Sequence, residues 1–243
     1  MIKDILKDIV AHTYPIGLDL VKITGDSTST TIEGITDKKE VILQAVANST
    51  IKEFEGTFGL PDLGKLDHHL KNKEYSDATI TVIWEDRNGG ENLPTIIRFE
   101  NSDGDYKNDY KLMTTNLINE KIKGVKFKGA GWQVEFEPSV TSINRFKLQD
   151  AANSDETLFM VKTEGNLLKF YFGDANTHEG NFIFHTGVTG KLKQNWTYPI
   201  KCFLGVLNLD GDKTVKFSDD GVAVVTVDSG IANYTYFIPA QTK

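Results

Sequence analysis

Few of the residues able to do chemistry stand at spacings that chemistry requires. His68-His69 is a histidine pair, but no cysteine or further histidine lies at a metal-ligand spacing from it. The pair reads as a solvated helix end. Cys202, the single cysteine, is followed by Phe203, Leu204 and Val206 and reads as a small apolar core residue. Asn101-Ser-Asp-Gly-Asp105 has the composition of a calcium loop, yet its glycine is misplaced and the closing glutamate is missing, so it reads as a hairpin turn. G-x-G-x-x-G, Walker A and G-x-S-x-G sequences are all absent. The expectation is a protein without catalytic residues, metal or cofactor, whose work is done by its shape.

The elements around these residues set that shape. The chain has 243 residues, 39% hydrophobic and 25% charged, the balance of an ordinary globular protein. Its apolar runs fall short of the roughly 18 residues a membrane helix needs, and Asp4, Lys7 and Asp8 interrupt the first ten residues where a signal peptide would be apolar. One cysteine fits a reducing compartment, so a cytoplasmic location with no membrane partner is expected. The net charge is −7, and it is uneven: residues 1–113 carry 13 basic and 20 acidic side chains, residues 114–243 carry 14 of each. Such a total disfavours simple nucleic-acid binding but leaves room for a local basic surface.

Periodicity divides the chain into two halves. Ile2, Ile5, Leu6, Ile9 and Val10 fill one arc of a helix over 2–12, ended by Pro15 and Gly17. Strands are expected at 18–24, 31–35, 41–48 and 51–58. A short helix opened by Pro61 carries Leu63, Leu66 and Leu70. Strands resume at 78–85, 93–100 and 106–113, with turns at Asn88-Gly89 and Asp103-Gly104. Residues 114–131 show no period and read as a connector. A helix over 138–152 restarts the pattern, with strands at 157–163, 166–173, 180–186 and 195–200, a short helix at 201–209, and strands at 213–217, 222–228 and 232–239. The domains are therefore expected at 1–113 and 132–243, each running helix, strands, short helix, strands, in an α+β fold. Leu63-Gly-Lys-Leu66 matches Leu204-Gly-Val-Leu207 at an offset of 141 residues, which would set Ile2 on Ile143 and Ile5 on Phe146.

Four stretches carry a resemblance. Asp109-Tyr-Lys-Leu-Met113 resembles the strand closing the first domain of a DNA polymerase sliding clamp, and Glu179-Gly-Asn-Phe-Ile183 resembles the subunit-contact strand of its second. Phe203-Leu-Gly-Val-Leu207 resembles the second helix of that domain in phage clamps. Gly230-Ile-Ala-Asn-Tyr-Thr-Tyr-Phe-Ile-Pro239 resembles the closing strand and its apolar-Pro tail. The chain is thus similar in architecture to proliferating cell nuclear antigen, and in length to the clamps of T-even-like phages.

The resemblance implies a homotrimeric ring of six similar domains around duplex DNA, with antiparallel sheets outside and four helices on the inner face. It implies a processivity factor that tethers a DNA polymerase, is opened by a clamp loader and performs no reaction. On the helices, Lys3, Lys7, Lys65, His68, Arg145, Gln149 and Lys201 become DNA-facing candidates. Lys147 falls in the apolar arc between Ile143 and Val140 and is set aside. Asp4 and Asp8 share the polar face of Lys3 and Lys7, so direct affinity for DNA should be low. Tyr110, Phe182 and Phe184 are candidates for the subunit interface. Ile35, Leu117, Ile118, Phe237, Ile238 and Pro239 are candidates for a partner-binding pocket. Two other readings fit the composition: a phage tail or baseplate β-protein, and a ligand-binding β-domain using Trp84, Trp132 or Trp196 as a platform.

Overall fold

The computed structural model describes residues 2–87, 91–123, 129–173 and 179–241. The Asn88-Gly89 turn expected from sequence lies outside them. The chain forms two compact units: Met1–Asp37 with Leu43–Val125 and Ser229–Tyr234, and Lys38–Ile42 with Lys126–Asp228 and Thr235–Lys243.

In the first unit, helix α1 (Ile2–Thr13) buries Leu6, Ile9 and Val10. A single turn of 3-10 helix and Gly17, at φ 84°, end it. Strands β1 (Leu20–Gly25), β2 (Thr30–Ile35), β3 (Ile42–Ala47) and β4 (Gly56–Pro61) follow, then α2 (Leu63–Lys71), β5 (Thr79–Arg87), β6 (Glu91–Glu100), β7 (Lys107–Lys111) and α3 (Thr115–Lys121). One sheet runs in the order β4-β1-β2-β3 and continues onto residues 232–234, where the Asn48 N–H donates to the Ile231 carbonyl at 2.8 Å. The other runs β5-β6-β7.

In the second unit, β8 (Trp132–Phe136) leads to α4 (Val140–Ala152), β9 (Leu158–Glu164), β10 (Leu167–Phe172), β11 (Gly180–Thr186), β12 (Thr197–Pro199) and α5 (Ile200–Leu207). It closes with β13 (Asp212–Ser218), β14 (Val222–Asp228) and β15 (Ala232–Pro239). Its sheets run β12-β9-β10-β11 and β15-β14-β13-β8. The orders β4-β1-β2-β3 and β12-β9-β10-β11 are the same order with 1 to 4 replaced by 9 to 12, so the duplication read from the sequence is present.

Its register differs from the expected one. Buried Leu63, Leu66 and Leu70 of α2 match buried Ile200, Phe203 and Leu207 of α5 at an offset of 137, and strand starts such as Leu20 and Leu158 differ by 138. The 141-residue match is thus slipped by four residues. Four residues are about one helical turn, so the slipped match keeps nearly the same hydrophobic phase.

Other differences have local causes. Residues 52–54 form a 3-10 turn where a strand was expected, because Gly56, at φ 98°, breaks the extended run ahead of β4. Pro61 ends β4 rather than opening α2, and Asp62, at φ 51°, makes the corner. Helix α3 lies inside the stretch read as a periodless connector. Only Ile118 and Ile122 face inward there, too few for a period to register in seven residues. Ile118 seats on Gly59, where a Cβ would come within 2.8 Å of its Cδ1.

Phe146 is the side chain of α4 that is fully buried. The rings of Phe159, Phe170, Phe172, Phe182, Phe184 and Phe203 lie with centroids 4.9–6.3 Å from it. Helix α4 therefore hangs on one aromatic knob. Phe146→Ala should lower unfolding free energy by about 3–5 kcal/mol, read from urea denaturation; a loss under about 1 kcal/mol would contradict this.

Candidate nucleic-acid interface

The helix faces of the first unit carry less free charge than their composition suggests. The Lys3 ammonium donates to the carbonyls of Tyr75 and Ser76, the latter at 2.6 Å, and so braces α1 against the turn after α2. Lys65 pairs with Asp62 at 2.9 Å, and that hydrogen bond raises its pKa. Lys71 pairs with Asp67 at 2.7 Å. Burial, with His68 adding to it, lowers the pKa of His69, which is therefore neutral at pH 7. Lys7 and His68 are exposed.

Asp8 does not share the solvent face, contrary to the helical-wheel reading. Its carboxylate accepts from Ser229 Oγ at 3.0 Å and Tyr234 OH at 2.7 Å, and lies 3.3 Å from His12 Nδ1. Hydroxyl partners and the imidazole make that inward position tolerable for a carboxylate. Asp4 remains exposed.

In the second unit Arg145 and Lys147 are exposed, while Gln149 is half-buried near Gly180 of β11. Lys201 reaches Asp150 at 3.4 Å and keeps 83% of its side chain exposed. The apolar arc expected for α4 does not exist as drawn: Val140 is 75% and Leu148 71% exposed. Lys147, set aside from the sequence, is thus a solvent-facing cation. No spacing rule shows this, because one large aromatic does the burying that α1 spreads over three aliphatic residues.

The sheet orders make β7 and β11 terminal strands. Tyr110 and Phe184 are buried, Phe182 is half-buried, and Ile183, not singled out from the sequence, points outward from β11. The Tyr110 hydroxyl donates to the Pro61 carbonyl, and burial raises its pKa, so it is a neutral internal brace. Among the partner-pocket candidates of the first unit, Ile35 is half-buried, Ile118 is in the core and Leu117 is exposed. In the second unit Ile238 has no exposed surface, Phe237 is nearly buried and Pro239 is half-buried. An Asp at 238 would bury a carboxylate and report on folding, not on binding.

Burial, and then the Glu40 carboxylate, push the Cys202 thiol up to about 11, so it stays protonated at neutral pH. Trp196 donates from Nε1 to the Asp219 carbonyl at 2.7 Å and covers Gly221, which makes it a packing residue. Among the described residues no group of three or more His, Cys, Asp or Glu could hold a metal ion, and no helix is long and apolar enough to cross a membrane.

No family model and no curated protein matches the chain. Solved structures do. PCNA from Thermococcus kodakaraensis superposes with a TM-score of 0.67 at 14% identity, over 98% of this chain and 97% of that one. A. fulgidus PCNA, solved with the C-terminal region of FEN-1 bound, gives a TM-score of 0.71 at 10% identity, over 99% and 96%. The fold is that of PCNA. The match spans both units, so the whole chain, not one domain, has the PCNA fold.

Lys3 is the helix cation whose role the geometry separates most sharply from binding. Lys3→Met should cost roughly 1–2 kcal/mol of stability, measured as a shift of the urea midpoint, whereas Lys7→Met should leave the midpoint unchanged. Equal midpoints for the two variants would contradict the brace.

Proposed function

We propose that three copies of this chain form a closed ring around duplex DNA and tether a DNA polymerase during processive synthesis. The observation that carries this reading is an asymmetry in the repeat. By position in the two halves, β7 corresponds to β15 and β11 to β3. The start of β15 is a sheet neighbour of β3. Their counterparts β7 and β11 end their sheets with backbone groups that a further strand could satisfy. Pairing β7 of one copy with β11 of the next would repeat the β15–β3 junction. Neither strand would then be left open.

The PCNA fold across the chain supports the same reading. A ring of this kind does no chemistry. It needs a clamp loader to open it, holds DNA by enclosure, and acts in the cytoplasm, that of a bacterial host if the chain is viral. The polymerase would dock on the outer surface, with exposed Leu117 of α3 as one anchor.

Mass measurement at micromolar concentration should give three chains. Ile183→Asp places a charge beside the open edge of β11 and should shift the mass to one chain that stays folded by far-UV circular dichroism. A wild type that stays monomeric when concentrated would overturn the ring. Leu117→Asp should leave the trimer intact and weaken binding of the polymerase C-terminal peptide at least tenfold by calorimetry; undiminished affinity would remove Leu117 from the docking surface.

A further inference from the structure

The two units present different charge to whatever faces their helices. In α1 and α2 three of the four lysines are engaged: Lys3 by backbone carbonyls, Lys65 by Asp62, Lys71 by Asp67; the fourth, Lys7, is exposed one turn from exposed Asp4. Three outward carboxylates accompany them: Asp4 on α1, Asp67 on α2 and Asp62 just before it. In α4 and α5 the sole carboxylate is Asp150, and Lys201 already meets it at 3.4 Å.

The two sides of α4 can be told apart by what they touch. Gln149 faces β11, since a Cβ on Gly180 would lie 3.0 Å from its Oε1. Arg145, four residues earlier, shares that side. Asp150 faces α5 through Lys201, and Lys147, three residues earlier, shares that side. Asn144, Lys147 and Ala151 are exposed at i, i+3 and i+7 and form one ridge. On α5, Lys201 and Asn208 are exposed seven residues apart, with Gly205 between them. The result is a strip of small and amide side chains carrying Lys147 and Lys201. Among the described residues Lys147 has no ion-pair partner.

We infer that contact with the phosphate backbone is carried by this strip of the second unit, with Lys147 as its principal cation, and that the helices of the first unit contribute little. The inference rests on the ring reading, because only a ring turns these helices toward DNA. The chemistry is that of a duplex read without sequence. Cations free of carboxylates can replace condensed counterions, amides can donate to phosphate oxygens, and small residues let the backbone approach. A lysine already held by an aspartate gains less, because it must give up that partner.

The test uses the full-length protein and a short linear duplex at low salt. The double variant Lys147→Ala/Lys201→Ala should lower the slope of log affinity against log salt by about 1 or more, while Lys65→Ala/Lys71→Ala changes it by less than half as much. Both variants should keep the wild-type mass and thermal midpoint. Equal losses, or a larger loss in the first-unit pair, overturn the inference and leave the ring standing if the wild type is trimeric. A wild type with no affinity for duplex at any salt overturns the inference and leaves the ring to be decided by the mass measurement.

Discussion

The proposed ring depends on the unpaired backbone of two strands. A strand at the end of a sheet exposes N–H and C=O groups that pair readily with another strand, and soluble proteins blunt such edges with charge, bulges or brevity. Here β7 is short and carries Lys107 and Lys111, which blunts it in part. β11 instead presents outward Ile183 between Phe182 and Phe184 in a seven-residue strand, whose pairing with β10 is regular from Gly180 to Ile183 and shifts register at Phe184. An edge of that kind fits a fixed neighbour. The aromatic cluster around Phe146 holds β10, β11 and α4 together from behind, so the edge is presented on a rigid support.

A net charge of −7 is a second constraint on any protein that must surround a polyanion. Cations on the helices of the first unit are largely committed to carbonyls and carboxylates of their own unit. Those of the second are freer. Weak and uneven attraction would suit the proposed ring, since retention by enclosure does not depend on contact energy. In the proposed reading, composition points away from nucleic acid because the relevant quantity would be the field along a narrow strip, which the rest of the molecule dilutes.

Much of the fold was legible because it rests on periodicity. The alternation of β1, β2 and β10 and the buried face of α1 follow from residues two, three or four apart. What was not legible depends on tertiary partners. Lys3 looks like any exposed lysine until the carbonyls of Tyr75 and Ser76 are beside it. Asp8 looks solvated until Ser229 and Tyr234 reach it from the far end of the chain. Lys147 looks semi-buried until Phe146 proves to be the one fully buried contact of its helix. The connector helix was missed because two inward isoleucines cannot establish a period, and the repeat slipped by a turn because a turn preserves phase.

The central claim is topological, so the direct measurement is topological. Protein assembled on nicked circular DNA with a clamp loader, as the proposal requires, is washed at high salt, and the fraction retained is compared before and after cutting the circle once. The account predicts retention on the circle in salt that abolishes binding to short duplex, followed by release within the time needed to slide off the new ends. Loss from circle and linear DNA at the same rate would contradict it.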